Sequence, residues 1–484
     1  MYDEREVQDV INRVRRRYGE PGPQLARQAA VAAELSAPAA TQTGDGVFAR
    51  LDDAVAAAAA AFRATRLDPD LRKAVIAAIR AAALDQAEPL ARLAVEETGL
   101  GRVDDKTTKN RLVAAKTPGP EDLEVLAVSG ANGMMLTEWA PFGVVGSISP
   151  VTNPAATVIN NAISIISAGN AVVFNAHPSA RRTSNAAVRL VHRAIVSAGG
   201  PANFITSVAE PTIESARALM THPDIRVLLV TGGPGVVREA LRTDKRAITA
   251  GPGNPPVVVD ETADVEKAGA DIVKGASFDN NIVCTDEKTV IAIASVADRL
   301  VRAMAAGGAY VLAEHELRRL ERVIFTDGTL VPGKPAHINT AWVGRDAARL
   351  LAEIGVRPTV EPRVLVAEVP VDHPLVWTEQ MMPVLPVVRV PDVAAAIDLA
   401  VRSEHGFRHT ASIHSTNVET ITRMARAMNC SIFVTNGPNY TGLGEGGEGF
   451  ATVSIASPSG DGMTRPRTFS RERRITVVGA LRIV

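Results

Sequence analysis

At 484 residues the chain is long enough for about three structural units of roughly 150 residues each. Its 52 Lys and Arg stand against 53 Asp and Glu, a net charge of -1, so there is no electrostatic excess to hold a nucleic-acid backbone and a dedicated nucleic-acid binder is excluded. Hydrophobic residues reach 46% while aromatics are only 4%; a core of Ala, Val, Ile and Leu excludes disorder over most of the length and suits helices packed on a sheet.

Residues 3 to 18 place Val7, Val10, Ile11 and Val14 on one face among charged residues, the pattern of a short amphipathic helix rather than of a secretory signal. Residues 19–45, with Pro21, Gly22, Pro23, Pro38 and Gly44, read as a linker, and the globular part is expected to begin near Gly46. Asp52 to Phe62 and Asp70 to Leu93 are Ala-rich and predict long helices. Glu124 to Glu138 alternates apolar and polar residues, as does Arg473 to Val484, so the two can pair as a small protruding sheet.

From Pro141 short β-branched runs alternate with helical stretches. Phe142 to Ser149 predicts a strand, and Pro154 to Ser167 a helix capped by Thr152 or Asn153 with Pro154 in its first turn. Strands follow at Ala171 to Phe174, Phe204 to Val208 and Ile225 to Val230, with helices at Ser184 to Ala198 and Glu214 to Met220 between them. This repeated βαβ pattern implies a parallel sheet with helices on both faces. A second α/β series runs from Val257, with strands at Thr289 to Ala294, Val364 to Val369, Thr410 to His414 and Ser431 to Val434. Trp139 to Ala180 carries no Asp, Glu, Lys or Arg, but Pro150, Pro154, Asn160, Asn161, Gly169 and Pro178 interrupt it too often for a membrane span.

The two cysteines, Cys284 and Cys430, are too few for a disulfide framework and point to a reducing interior. Cys284, in an Asn-rich loop before a strand, reads either as a thiol exposed at a strand end or as a small buried hydrophobe; Cys430 reads as the latter. Gly442 to Gly447 satisfies GxGxxG literally, yet strand-like residues follow it, so it is not a dinucleotide fingerprint. Thr231-Gly232-Gly233-Pro-Gly235 follows an apolar strand and opens a helix, Val236 to Arg242; it is either a pyrophosphate-facing turn or a plain tight turn. None of the nine His has metal-ligand spacing and no zinc-site pattern occurs, so no metal is expected. Glu379 and Glu448 lie in loops, where surface charge is the commoner role.

Assembled in order, Pro141-Phe-Gly-Val-Val-Gly, Thr152-Asn153-Pro154, Ala168-Gly-Asn-Ala-Val-Val-Phe, Thr231-Gly-Gly, Cys284 and Thr378-Glu-Gln-Met-Met-Pro-Val-Leu-Pro resemble the aldehyde dehydrogenase superfamily from about Gly46 to Val484. Val208-Ala-Glu-Pro-Thr212, Gly251-Pro-Gly-Asn-Pro-Pro, Gly275-Ala-Ser-Phe-Asp and Asn436-Gly-Pro-Asn-Tyr resemble its CoA-acylating branch from bacterial microcompartments. The resemblance implies two parallel-sheet α/β domains and a small β oligomerisation extension. Residues 46–123 and 139–256 would form the cofactor-binding domain, 257–462 the catalytic domain, and 124–138 with 463–484 the oligomerisation sheet.

It further implies NAD as cofactor, coenzyme A as cosubstrate, and a short aldehyde, propanal or acetaldehyde, as substrate. Cys284 matches the nucleophile and Asn153 the side-chain oxyanion donor. Thr231, Gly232 and Gly233 match the pyrophosphate turn, Glu379 the nicotinamide-ribose carboxylate, and His177-Pro178 the adenine-ribose region, where most members carry Lys-Pro. Ala250 stands where hydrolytic members carry their general base, and Ala180 where many carry a ribose-binding Glu. The resemblance also implies a homodimer or homotetramer, cytoplasmic and housed in a microcompartment, with residues 1–18 as an encapsulation peptide docking on shell or cargo proteins. A hydrolytic enzyme making free acid, a non-catalytic scaffold component and a thiolase-like acyltransferase are the competing readings; the first lacks its base, the second is at odds with an intact Cys284, Asn153 and Glu379, and the third lacks a His near the Cys.

Overall fold

The computed structural model describes residues 43–65 and 67–482; the amphipathic helix and most of the linker expected upstream lie outside them. Short capping signals set where the first helices begin. The Asp68 carboxylate accepts the amides of Asp70 at 3.0 Å and Leu71 at 2.9 Å, with Pro69 in the first turn, and so starts the helix Pro69–Asp85. One continuous helix over 70–93 is not what forms. Pro89 has no N–H to give Asp85, so the chain breaks at Gln86 and restarts as Ala87–Thr98 with the proline in its first turn. A further helix, Val103–Lys116, was not expected from its polar sequence.

Four of the strands read from the sequence join a six-stranded parallel sheet, with Val47–Phe48 and Arg246–Ala250 added at its two edges. Its spatial order is Val47–Phe48, Ile205–Val208, Ala171–Asn175, Val144–Ile148, Ile225–Thr231, Arg246–Ala250. The chain runs outward from Val144–Ile148 in one direction and then returns to lay Ile225–Thr231 on its other side. That reversal opens a crevice at the carboxyl ends of the two strands, where their departing loops turn opposite ways. The uncharged helix Pro154–Ser167 is buried along its whole length, and the strands Val144–Ile148 and Ala171–Asn175 are buried on both faces, as parallel sheets covered by helices must be.

A seven-stranded parallel sheet follows the order Ala309–Val311, Val364–Glu368, Val384–Val390, Thr289–Ile293, Pro256–Val259, Thr410–His414, Ile432–Thr435. Its core is β-branched, with Val257, Val258, Val259, Val290, Ile291 and Val387 removed from solvent. Glu124 to Glu138 is not one strand but a hairpin, Leu126–Gly130 and Gly133–Pro141, whose second arm pairs antiparallel with Ser470–Val478. Leu126, Val128, Ile475 and Val478 of this three-stranded sheet are exposed. The run after the glycine cluster is strand only at Ile455–Ala456. Among the described residues no helix is long and apolar enough to cross a membrane.

Candidate active site

Both sheets direct loops into one place. Asn153 and the Gly232-Gly233 turn follow the two strands that flank the crevice of the first sheet, while Gly253, Cys284, Glu379 and His409 immediately precede strands of the second. Carboxyl ends of one sheet therefore face amino ends of the other.

Cys284 reaches its position through an unusual piece of backbone. Asp279, Asn280 and Asn281 are consecutive left-handed residues, with φ of 46°, 57° and 63°, a conformation that Asn and Asp tolerate better than other non-glycine residues. They turn the chain from the helix Val265–Ala276 into the Cys284 loop. The thiol is half-buried, less exposed than a strand-end loop suggested, and it meets the apolar cluster of Leu112, Ile432, Val434, Leu443, Ala451 and Ile455. Gly253 crosses directly over it: a Cβ there would stand 2.5 Å from the Cys284 carbonyl oxygen and 3.2 Å from the His409 ring. Only glycine allows that approach.

The electrostatics come from ionisable groups enclosed together. Burial pushes the Cys284 thiol up to about 12, with the Glu379 carboxylate adding to the rise and the Lys288 ammonium opposing it. Glu379 is itself raised by burial, against Lys288 and the Gly253 amide, which donates to its Oε1 at 3.3 Å. Lys288 is fully buried and lowered by burial; its Nζ donates to Asn281 O at 2.6 Å and Oδ1 at 2.7 Å. Burial and the nearby Lys288 bring His409 down to about 4, so the imidazole is neutral at physiological pH, with Nδ1 paired to Thr410 Oγ1 at 2.8 Å.

Asn153 is the N-cap residue of the helix Pro154–Ser167, yet its side chain makes no capping bond. Its Oδ1 instead accepts from Lys109 Nζ, and Lys109 also donates to Asp279 Oδ2. Lys106 completes the cluster, donating to Asp279 Oδ2 at 2.9 Å and Thr152 O at 3.0 Å. All four side chains are buried, and leaving such a charge unpaired costs about 3–5 kcal/mol. Sequence reasoning missed Lys106, Lys109, Asp279, Lys288 and His409. The Asp-Asn-Asn run before Cys284 was the available signal, since three left-handed formers in a row mark a sharp turn.

Of the other residues singled out, the Thr231-Gly232-Gly233 turn lies at the crevice. Thr231 ends its strand and bonds Ser454 Oγ at 2.9 Å, and the Gly232 amide donates to Ala250 O at 3.1 Å. Gly233 opens the helix Pro234–Leu241 with nothing within 4 Å of a Cβ placed on it. His177 and Pro178 are exposed beyond the next strand, with the Ser179 amide donating to His177 Nδ1 at 3.2 Å. Glu448 is an exposed loop charge. No helix follows the Gly442–Gly447 cluster; Lys116 Nζ clamps that loop through the carbonyls of Gly444 and Gly447. Cys430 lies apart, its thiol donating to Ile432 O at 3.0 Å.

Residues 36–318 and 341–450 match the aldehyde dehydrogenase family. The chain is 52% identical to an acetylating acetaldehyde dehydrogenase of Escherichia coli, over 91% of this chain and 94% of that one. It is 43% identical to a CoA-propanoylating propanal dehydrogenase of Salmonella typhimurium, over 93% and 96%. A crystal structure of Rhodopseudomonas palustris propionaldehyde dehydrogenase, with bound CoA and an acylated cysteine, superposes with a TM-score of 0.87 at 46% identity, over 91% of this chain and all of that one. With two parallel sheets meeting at a crevice beside a half-buried cysteine, and these matches over most of its length, the chain belongs to the aldehyde dehydrogenase family.

Proposed function

We propose that the protein is an NAD-dependent, CoA-acylating aldehyde dehydrogenase that oxidises a short aldehyde, acetaldehyde or propanal, to its acyl-CoA. The carrying observation is the segment Ala250-Gly-Pro-Gly253, which runs from the crevice over the Cys284 carbonyl and bears no group able to take a proton from water. Glu379, the neighbouring carboxylate, is engaged by the Gly253 amide. The names of the Escherichia and Salmonella relatives, which make acyl-CoA products, support the reading.

The Cys284 thiol gives up its proton to solvent and its sulfur adds to the aldehyde carbon, while Asn153 Nδ2 and the Cys284 amide hold the carbonyl oxygen as it gains charge. NAD, when bound, supplies the hydride acceptor. Its fit rests on the open Gly233 turn at a helix N-terminus in the strand-reversal crevice; Thr231, Gly232 and Gly233 would hold its pyrophosphate, Glu379 its nicotinamide ribose, and His177 and Pro178 its adenine ribose. Loss of hydride leaves an acyl thioester on Cys284. The CoA sulfur then bonds to the acyl carbon, the bond to Cys284 breaks, and the thiol is regenerated. A positioned base contributes ~10²–10⁴-fold to attack by water; with a methyl group at Ala250 that help is missing, and the more acidic thiol of CoA is the competent acceptor.

NADH absorbance with and without CoA tests this. Without CoA, about one NADH per site should appear in a burst followed by slow turnover; with CoA, turnover should be sustained and acyl-CoA should accumulate. Equal steady-state rates with free acid as product would establish the hydrolytic reading instead.

Residues 1–18 are proposed to address the enzyme to a bacterial microcompartment, the setting named for a Clostridium phytofermentans relative that is 45% identical, and the exposed three-stranded sheet to join subunits into a homodimer or homotetramer. Removing residues 1–20 should leave activity intact and abolish co-purification with shell particles; undiminished co-purification would overturn the addressing role.

A further inference from the structure

We infer that Lys109 is a positioning residue that sets the orientation of the Asn153 amide, on which the proposed oxyanion role rests. An asparagine amide presents an acceptor on one side and a donor on the other, and turning it over exchanges them. Only the donor can stabilise a developing oxyanion. As a helix-cap residue, Asn153 would use Oδ1 to accept a backbone amide of the first turn and its Nδ2 would be free to lie either way. The helix makes no such bond here.

Lys109 takes its place. An ammonium group has three donors and no acceptor, so the amide atom facing Lys109 Nζ is Oδ1 and Nδ2 is held on the opposite side, where it stands 3.3 Å from Thr152 Oγ1. Lys109 is in turn fixed by Asp279, whose carboxylate also binds Lys106 and the Arg102 amide at 2.7 Å. Asp279 lies in the left-handed turn that leads to Cys284. One buried lysine thus couples the placement of the nucleophile loop to the orientation of the oxyanion donor, and it brings a positive charge against an amide that must polarise toward a negative oxygen. The structure also separates this role from general support. Lys106 shares Asp279 but directs its ammonium to Thr152 O and not to Asn153 Oδ1, so Asp279 keeps a cationic partner when Lys109 is removed.

The test is a double-mutant cycle on two readouts: the NADH burst with propanal, and the p-nitrophenolate burst on acylation by p-nitrophenyl propionate without NAD or CoA. Asn153→Ala should slow both bursts by ~10²-fold or more; if it slows neither, the oxyanion reading itself fails. Lys109→Met should slow both by at least ~10-fold, and in the Asn153→Ala background by less than ~2-fold further. Lys106→Met should lose comparable thermal stability while keeping both bursts within ~3-fold. If Lys109→Met does not fold, Lys109→Gln takes its place with the opposite expectation: its amide can still donate to Asn153 Oδ1, so both bursts should stay within ~3-fold, and a loss of ~10-fold or more would overturn the positioning role. A slow Asn153→Ala protein combined with additive losses, or with equal losses from Lys106→Met and Lys109→Met, would overturn the positioning role and leave the cluster a structural brace.

Discussion

The Cys284 thiol sits in surroundings that favour its neutral form, because burial and the Glu379 carboxylate together outweigh Lys288. A thiol held near 12 is overwhelmingly protonated at pH 7, and only the thiolate is a strong nucleophile. Alkylation of Cys284 by iodoacetamide in the protein without substrates should therefore be slow at neutral pH and rise about tenfold per unit to at least pH 10 without levelling. A plateau between pH 7 and 9, read by mass spectrometry of the labelled peptide, would contradict this. Cys430 is also raised by burial, to about 11. Greater intrinsic acidity therefore does not distinguish Cys284; its place beneath Gly253 and beside Glu379 does. Glu379→Gln removes the anion and should speed alkylation at a given pH, since the thiolate would lose a repelling neighbour.

At the scale of elements, the chemistry depends on segments whose sequences look unremarkable. The helix Val103–Lys116 buries Lys106, Thr107, Lys109 and Asn110, of which Lys106 and Lys109 meet Asp279 and Lys109 also Asn153, while Asn110 Nδ2 donates to Ala87 O at 2.8 Å. The segment from Ala250 to Asn254 is held by Asn254 Nδ2, which donates to Val376 O at 3.1 Å and Ser403 O at 2.8 Å, and this anchoring keeps Gly253 against the Cys284 loop. Gly253→Ala would thrust a methyl toward a backbone oxygen that cannot rotate away. We expect at least ~10-fold slower NADH burst with thermal stability lowered by no more than ~3 kcal/mol, since overpacking a tight site typically costs about 1–3 kcal/mol and a small misplacement of reacting groups can cost ~10²-fold in rate. An unchanged burst would show that the contact does not position the nucleophile.

At the scale of the whole molecule, two parallel sheets supply opposite strand ends to one site, so neither sheet holds the proposed machinery alone. The cofactor crevice follows from the reversal of strand order in the first sheet, and the thiol from a loop entering the second. The third sheet stands apart, a nine-residue strand, Ser470–Val478, zipped against Gly133–Pro141 with Ile475, Val478, Leu126 and Val128 exposed. An apolar edge of this kind invites pairing with another chain. If this sheet joins subunits as proposed, replacing Ile475 and Leu126 by Glu should shift the native mass toward monomer by light scattering while the far-ultraviolet circular dichroism is kept; an unchanged native mass would overturn that proposal.

Periodicity and composition by themselves determined the alternating α/β order, because β-branched runs and apolar faces with periods of two and 3.6 are local properties of the chain. They did not single out the site: from their own surroundings Cys284 and the Thr231-Gly232-Gly233 turn each had two readings, Asn153 read as a helix cap and Glu379 as a surface charge, and it was the resemblance carried by their ordered motifs that nominated them. The break at Gln86 was legible from Pro89 once the missing N–H is considered, though the apolar spacing concealed it. Other features belong to tertiary structure alone. Lys109 touches Asn153 across 44 positions and Asp279 across 170, and no local pattern encodes such a meeting. Likewise, the rise of the Cys284 thiol and the neutrality of His409 arise from burial among groups brought from different loops. A side chain's type is written in the sequence, but its protonation and the direction of its donors depend on neighbours that only folding assembles.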